Sequence, residues 1–260
     1  MNGTSTLPAQ GADPIGLGST ASVPVDPAPA CLGPLASVAV PRFTGRLGTR
    51  RRVRNSTPAD QSLTSLAKRS IDLIGAGGCL LALLPVFLAC SLAVKLTSRG
   101  PVFFRQTRVG KDGRDFGCLK FRTMRLGAHA QQEVLRGMST QDGPAFKLPK
   151  DPRVTRIGRF MRKYSLDELP QLINVLAGDM SLVGPRPPIP SEVESYTVWQ
   201  RRRISVKPGL TCVWQVYGRN RVSFKRWVEM DLYYIDNWSL RLDLKLLAHT
   251  VGVVLRGTGM

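Results

Sequence analysis

The chain has 260 residues, enough for one real core or two small ones. Its 37 Lys and Arg against 18 Asp and Glu give a formal net charge of +19, so its partners are expected to be anionic: nucleic acid, acidic phospholipid or a phosphorylated substrate. Five scattered cysteines (Cys31, Cys79, Cys90, Cys118 and Cys212) form no CxxC pair, which argues against a disulfide scaffold or structural zinc, and having only His129 and His249 argues against a histidine-based metal site.

Residues 1–41 contain no Lys or Arg and carry seven prolines among Gly, Ala, Ser and Thr, and no signal peptide opens the chain. Such a composition buries little apolar surface and is expected to stay disordered. Basic residues begin at Arg42 and thicken through Arg50, Arg51, Arg52 and Arg54, so residues 1–60 read as a tail, Pro-rich and then basic.

Residues 61–98 form the next unit. From Leu73 to Val94 there are 22 residues without a charge. As straight helix they would cover roughly 33 Å, close to the hydrocarbon thickness of a bilayer. A buried core helix fits the same pattern, although few soluble helices are apolar all round for this length. A full crossing meets two difficulties. Lys68 and Arg69 flank one end while Lys95, Arg99, Arg105 and Arg108 follow the other, which gives no inside–outside bias. Pro85 lies in the middle, where it removes a helix hydrogen bond and kinks the axis. A kinked hairpin that dips into one leaflet and returns keeps every basic residue on the cytoplasmic face, near anionic phospholipid. That hairpin and a kinked crossing both stay open. Asp72, at the mouth of the segment, is expected at headgroup depth as an ion-pair partner of Lys68 and Arg69.

Residues 99–250 read as a cytoplasmic domain and 251–260 as a C-terminal tail. From Pro101 an extended strand runs to a turn at Lys111-Asp112-Gly113 and returns through Phe116 to Phe121. Its basic side chains could hold a phosphate or decorate a membrane-facing surface. A helical stretch is predicted around His129 to Arg136, with His129 on the surface. From Arg153, Val154, Ile157, Phe160 and Met161 fall near helical spacing, and Arg156, Arg159, Arg162 and Lys163 share another face.

Next come two adjacent carboxylates, Asp167 and Glu168. Ser165 with Glu168 matches a capping box, in which Glu168 would accept a reciprocal backbone bond. Pro170 favours a second reading, because proline suits the first helical position. A helix starting there frees both acids to project ahead of its N-terminus, where backbone dipoles keep them ionised. One could then attack phosphorus while its neighbour holds a metal. A third carboxylate, Asp179, precedes the stiff turn Gly184-Pro185-Arg186-Pro187.

Beyond it, one helix is predicted from Glu192 and Glu194 to Trp199 and the run Arg201-Arg202-Arg203, then a turn over Lys207 to Thr211. Arg219 and Arg221 sit on a candidate anion-binding loop, since the planar guanidinium meets phosphate bidentately. Val222 to Ile235 reads as a helix. The leucines from 240 to 247 fit either helix or strand.

The combination Asp-Glu-Leu-Pro-Gln-Leu at 167–172 followed by Ser-Leu-Val-Gly-Pro-Arg-Pro at 181–187 resembles the bacterial sugar transferases, or polyprenyl-phosphate glycosyl-1-phosphate transferases, that start exopolysaccharide and glycan assembly. The similarity runs roughly from Lys68 to Thr250. It implies an α+β, mostly helical fold: a membrane-associated monotopic core with a kinked re-entrant helix broken at Pro85, and small β-hairpin elements. It implies transfer of a sugar 1-phosphate from a UDP-sugar to undecaprenyl phosphate, with Mg2+ and release of UMP. In that scheme Asp167 attacks the β-phosphate, forming a covalent phosphosugar intermediate, and Glu168 binds the metal. Lacking an earlier apolar run, the chain is similar to the family's short form, at the bacterial cytoplasmic (inner) membrane. Leu84 stands where relatives often have Ser, and Thr211-Cys212 where many have Thr-Gly. Arg162, Arg186, Arg219 and Arg221 are then the candidate phosphate contacts, with Asp179, Lys68 and Asp72 in support. A homodimer through the hairpin or the Leu-rich segment is compatible with this reading; a nucleic-acid partner is not expected. A membrane-surface scaffold or a nucleic-acid binder would explain the charge but not an acid pair set among arginines. A metal-dependent phosphatase would use similar groups but release free sugar phosphate.

Overall fold

The structure is a computed structural model that describes residues 58–128, 130–146, 148, 150–218 and 222–257. The expectations for residues 1–57, His129, Arg219 and Arg221 therefore lie outside the described residues.

Helix α1 (Pro58–Ala82) and helix α2 (Leu84–Thr97) meet at Leu83 with a bend of 63°. Pro85 sits in the first turn of α2, where its missing N–H is harmless and its ring does not clash with a continuing helix. Cys79 still accepts from Leu83 N at 2.9 Å and Leu83 from Phe87 N at 2.8 Å, so the break is confined to one turn. Among the described residues no single helix is long and apolar enough to cross a membrane; the bent pair passes that test only together. Ile74, Leu81, Leu88, Leu92 and Leu96 are exposed, which excludes the buried core helix.

Strands β1 (Phe103–Val109) and β2 (Asp115–Phe121) form the expected antiparallel hairpin, in register from Phe103 opposite Phe121 to Val109 opposite Asp115. The Phe87, Phe103 and Phe121 rings, 4.9–5.8 Å apart, dock it onto α2. Arg122 seals the contact. Its guanidinium donates to the Arg99 carbonyl and, at 2.9 Å, to the carbonyl and hydroxyl of Ser98.

Three predicted segments differ. Helix α3 (Gln132–Leu135) occupies only part of the stretch expected from His129 to Arg136. Helix α4 covers Arg156–Lys163, because Thr155 takes the N-cap and accepts from Gly158 N at 3.0 Å; Val154, counted as helical from its spacing, instead bridges to Met124. After helix α5 (Gln171–Ala177) and strand β3 (Ser181–Val183), helix α6 (Pro190–Glu194) and helix α7 (Val198–Arg201) replace the single helix expected from Glu192 to Arg203. Thr197 restarts the chain there: its N–H donates to Gln200 Oε1 at 2.8 Å while its hydroxyl receives Gln200 N, a reciprocal cap that ends any continuous helix.

The expected turn over Lys207 to Thr211 contains strand β4 (Gly209–Thr211), parallel to β3. A Cβ on Gly184 or Gly209 would collide with the backbone of the other strand, so only glycine permits this approach. Helix α8 (Val213–Tyr217), helix α9 (Phe224–Asp236) and helix α10 (Leu240–Leu255) complete the chain. The leucines from 240 to 247 are helical, with Ser239 as N-cap. Val175, Met180, Val183, Val213, Met230 and Leu246 fill the core between α1, α5, the β3–β4 pair and α8–α10.

A buried polar network ties helix α1 to this core. Asp243 of α10 accepts from Lys68 at 2.8 Å, from the Tyr234 hydroxyl at 2.8 Å and from Trp238 Nε1 at 3.1 Å. Asp72 accepts from Ser181 Oγ and Leu182 N, both at 3.0 Å, and lies 3.5 Å from Lys68. Arg69 donates to the carbonyls of Val175 and Leu176 at 2.7 and 2.9 Å, capping the end of α5. Lys68 and Asp72 thus form the expected ion pair, packed against β3 and α10; Arg69 turns to α5 instead of Asp72.

Asp243→Ala removes the acceptor shared by Lys68, Tyr234 and Trp238 and should cost about 3–5 kcal/mol, whereas Arg202→Ala, removing an exposed pair with Asp236, should cost about 0–1 kcal/mol. Thermal unfolding of the two variants in detergent checks the contrast; equal shifts in Tm would show that the network does not hold α1.

Candidate active site

Ser165 adopts a left-handed conformation (φ 56°, ψ 21°) and turns the chain from α4 into a 3-10 turn over Leu166–Glu168. Its side chain makes no capping bond, and the regular helix α5 begins only after Pro170. Of the two local arrangements that the sequence allows, the structure adopts the one in which Asp167 and Glu168 stand ahead of the helix. The capping box is absent because Glu168 is drawn elsewhere.

Glu168 Oε1 accepts from Lys120 Nζ of β2 at 2.7 Å and lies 3.8 Å from an Arg186 nitrogen. Asp167 is 7% exposed, and its nearby charges are Lys120, Glu168 and Arg162. Arg162, in the last turn of α4, is aimed by Thr123, whose hydroxyl accepts from its Nε at 2.9 Å. Arg108 of β1 is buried; it donates to the Pro187 carbonyl at 2.8 Å and to Gln106 Oε1 at 2.7 Å. Together with the 2.9 Å bond from Val109 N to the Pro188 carbonyl, it clamps the turn that carries Arg186. Asn174 of α5 fastens that helix to β2 through bonds at 2.9 Å to Leu119 N and the Gly117 carbonyl. The spacing between Lys120 and Glu168 follows from this clamp.

The two acids are electrostatically split. Burial pushes both upward, but for Glu168 the cations Lys120, Arg186 and Arg108 outweigh it and hold the carboxyl well below the usual range. For Asp167 burial wins, and its carboxyl is pushed up, reinforced by the negative charge of Glu168. Burial also lowers Arg108 to about 10, with the neighbouring Arg186 adding to the effect. Adjacent carboxylates in different protonation environments suit two different roles.

The pair opens onto a cleft of about 1320 Å³. Arg162 and Arg186 line its polar part, while Leu83, Val86 and Phe103 on one side and Val251, Val254 and Leu255 of α10 line apolar walls. Of the residues singled out from sequence, Arg162 and Arg186 join the pair. Lys68, Asp72 and Pro85 belong to the α1 network and the helix break, and Asp179 sits past the end of α5, accepting from Asn174 at 3.3 Å. Lys120 and Arg108 belong to the hairpin's basic side chains that could hold a phosphate, though neither is among the named phosphate contacts; strand alternation puts Lys120 two residues from buried Cys118, on the same face of β2.

Four carboxylates line the cleft, Asp151, Asp167, Glu168 and Glu192; no group of three or more potential metal ligands occurs among the described residues, and the adjacent pair is Asp167 and Glu168. This donor set fits Mg2+, which is commonly held by one or two carboxylates plus substrate phosphates and water.

A family model described as Bacterial sugar transferase matches residues 63–257. The chain is 46% identical over 199 residues to the UDP-galactose-lipid carrier transferase of Erwinia amylovora, covering 74% of this chain and 41% of that one. It is 41% identical over 210 residues to the exopolysaccharide production protein ExoY of Rhizobium meliloti, covering 78% and 92%. It is 44% identical over 200 residues to the undecaprenyl-phosphate galactose phosphotransferase of Salmonella typhimurium, covering 74% and 41%. The chain thus spans less than half the length of two of these relatives and nearly all of ExoY. With the family model covering the acid pair and nearly all the described residues, the chain belongs to the bacterial sugar transferase family.

Proposed function

We propose that the chain transfers a sugar 1-phosphate from a UDP-sugar to undecaprenyl phosphate, releasing UMP. The observation that carries this reading is the buried acid pair set among Lys120, Arg162, Arg186 and Arg108. The names of the relatives point to the same donor and acceptor.

Asp167 is the nucleophile. Its carboxylate oxygen bonds to the β-phosphorus as the bond to the UMP oxygen breaks, and UMP leaves with the electron pair. An oxygen of undecaprenyl phosphate then attacks the same phosphorus and releases Asp167. Lys120, Arg162 and Arg186 receive the phosphate oxygens, whose charge they stabilise more strongly in a site shielded from water. Glu168, kept ionised by its cations, would hold Mg2+, which when bound neutralises phosphoryl oxygens. The α1–α2 pair dips into one leaflet and returns, with its exposed leucines in acyl chains and Lys95 and Arg99 at anionic headgroups. The catalytic domain then faces the cytoplasm at the bacterial inner membrane.

The direct test is UMP release from a panel of UDP-sugars with Mg2+, with and without undecaprenyl phosphate. Asp167→Asn should lower lipid-dependent turnover by about three orders of magnitude or more; turnover that survives in this variant removes Asp167 as nucleophile. Lys120→Met should lower kcat/KM by about a hundredfold, with Lys120→Arg less affected; wild-type kinetics in Lys120→Met would exclude the phosphate role. Cysteines placed at positions 60 and 100 should label from the same side of sealed vesicles; labelling from opposite sides refutes the re-entrant arrangement.

A further inference from the structure

Thr123, two residues past the end of β2, is buried and forms the stop against which α4 is set. Its carbonyl accepts from Thr155 N at 3.0 Å, and Thr155 is the residue whose hydroxyl caps α4. Further along the helix, Gly158 is buried against Thr123, where a Cβ would collide with the Thr123 carbonyl. Met161, 1% exposed, shares a core cluster with Cys90, Val94 and Phe121, which fixes the roll of the helix. Arg162 follows Gly158 by four residues and therefore lies above it on the same face.

The Arg162 guanidinium is held at one of its three nitrogens. Nε donates to the Thr123 hydroxyl at 2.9 Å, while among the described residues the two terminal nitrogens have no hydrogen-bond or ion-pair partner. Asp167 is near enough for its charge to act on Arg162: burial lowers the guanidinium, and the carboxylate opposes that shift. Yet no ion pair joins the two, although both line the cleft together with Thr123. An arginine beside a carboxylate has every reason to close on it, because the planar fork fits two carboxylate oxygens. Here the Thr123 hydroxyl and the fixed helix hold the fork back, so its two outer donors remain for an anion arriving in the cleft.

We propose that Thr123 is a positioning residue for phosphoryl transfer: by taking Nε of Arg162 it keeps that guanidinium from pairing with Asp167 and reserves both terminal nitrogens for an oxygen of the phosphate that Asp167 attacks. The proposal rests on the transferase reading and assigns a role to a residue that touches no substrate itself. No bond or proton is exchanged at Thr123. Its effect is to leave the nucleophile unpaired and the fork aligned before the phosphate arrives, so that neither has to rearrange during the reaction.

The test uses the full chain in detergent and reads UMP release from the UDP-sugar that supports turnover, with undecaprenyl phosphate present. Thr123→Val, which keeps the shape and removes the hydroxyl, should lower kcat/KM by about ten- to a hundredfold. Thr123→Ser, which keeps the hydroxyl, should recover most of that loss. A double-mutant cycle separates positioning from packing: in an Arg162→Ala background, Thr123→Val should add no further loss. Arg162→Lys keeps the charge but not the fork, and should fall close to Arg162→Ala; because it leaves Thr123 in place, it decides the matter even where Thr123→Val does not fold. Wild-type kinetics in Thr123→Val, losses that simply add in the cycle, or wild-type kinetics in Arg162→Lys each overturn the proposal while leaving the transferase reading intact. If folded wild type releases no UMP from any UDP-sugar, the transferase reading falls and this inference with it.

Discussion

Two neighbouring carboxylates held out of water set the terms for the rest of this structure. Desolvating one ionised carboxylate costs several kcal/mol in a protein interior unless countercharge is supplied, and a second one beside it raises that cost. Lys120, Arg162, Arg186 and Arg108 supply the countercharge, and each comes from a different place: β2, the end of α4, the turn after β3, and β1. The hairpin, α4 and the β3–β4 pair therefore have to converge on one 3-10 turn. The cations do not neutralise the two acids evenly. Lys120 bonds Glu168 directly and holds it ionised, while Asp167 stays in the drier position with its carboxyl pushed up.

The second constraint is mechanical. Lys68, Asp72 and Arg69 lie a few residues before the uncharged segment, yet their polar groups bind Asp243 of α10, the backbone of β3 and the end of α5. The apolar helix pair is thus continuous with the frame of the site, not hung from it by a linker. Any tilt of α1 is transmitted to β3, whose following turn carries Arg186, and to α5, whose preceding turn carries the acid pair.

Much of this was legible in the chain because the signals were local. Pro85 marked the helix break, and Lys111-Asp112-Gly113 marked the hairpin turn, where Asp112 and Gly113 take positive φ. The acid pair, Arg162 and Arg186 stood out by their chemistry and spacing. What was missed depends on partners distant in sequence. Lys207 to Thr211 reads as a turn from Pro208 and Gly209, yet residues 209–211 become a strand because β3 offers a parallel edge that only glycines can approach. Val154 fits a helical period, but Thr155 caps the helix one residue later. Lys68 and Asp72 pair as their spacing suggests, but nothing local reveals that Asp243, more than 170 residues away, closes the network over them. Lys120 is an ordinary strand lysine until the Asn174 side chain fixes β2 against α5.

The helix break and the cleft belong to one construction. Leu83, at the bend, and Val86, one residue beyond Pro85, line the same cleft as Asp167 and Glu168, and the end of α10 supplies another apolar part. A straight helix through Pro85 would carry α2 off its present course, away from the hairpin phenylalanines and from Arg122, which fix its far end. The apolar wall would then part from the cationic floor. The polyprenyl phosphate proposed as acceptor, whose tail would remain in lipid, needs those two surfaces side by side, and the 63° bend is what puts them there.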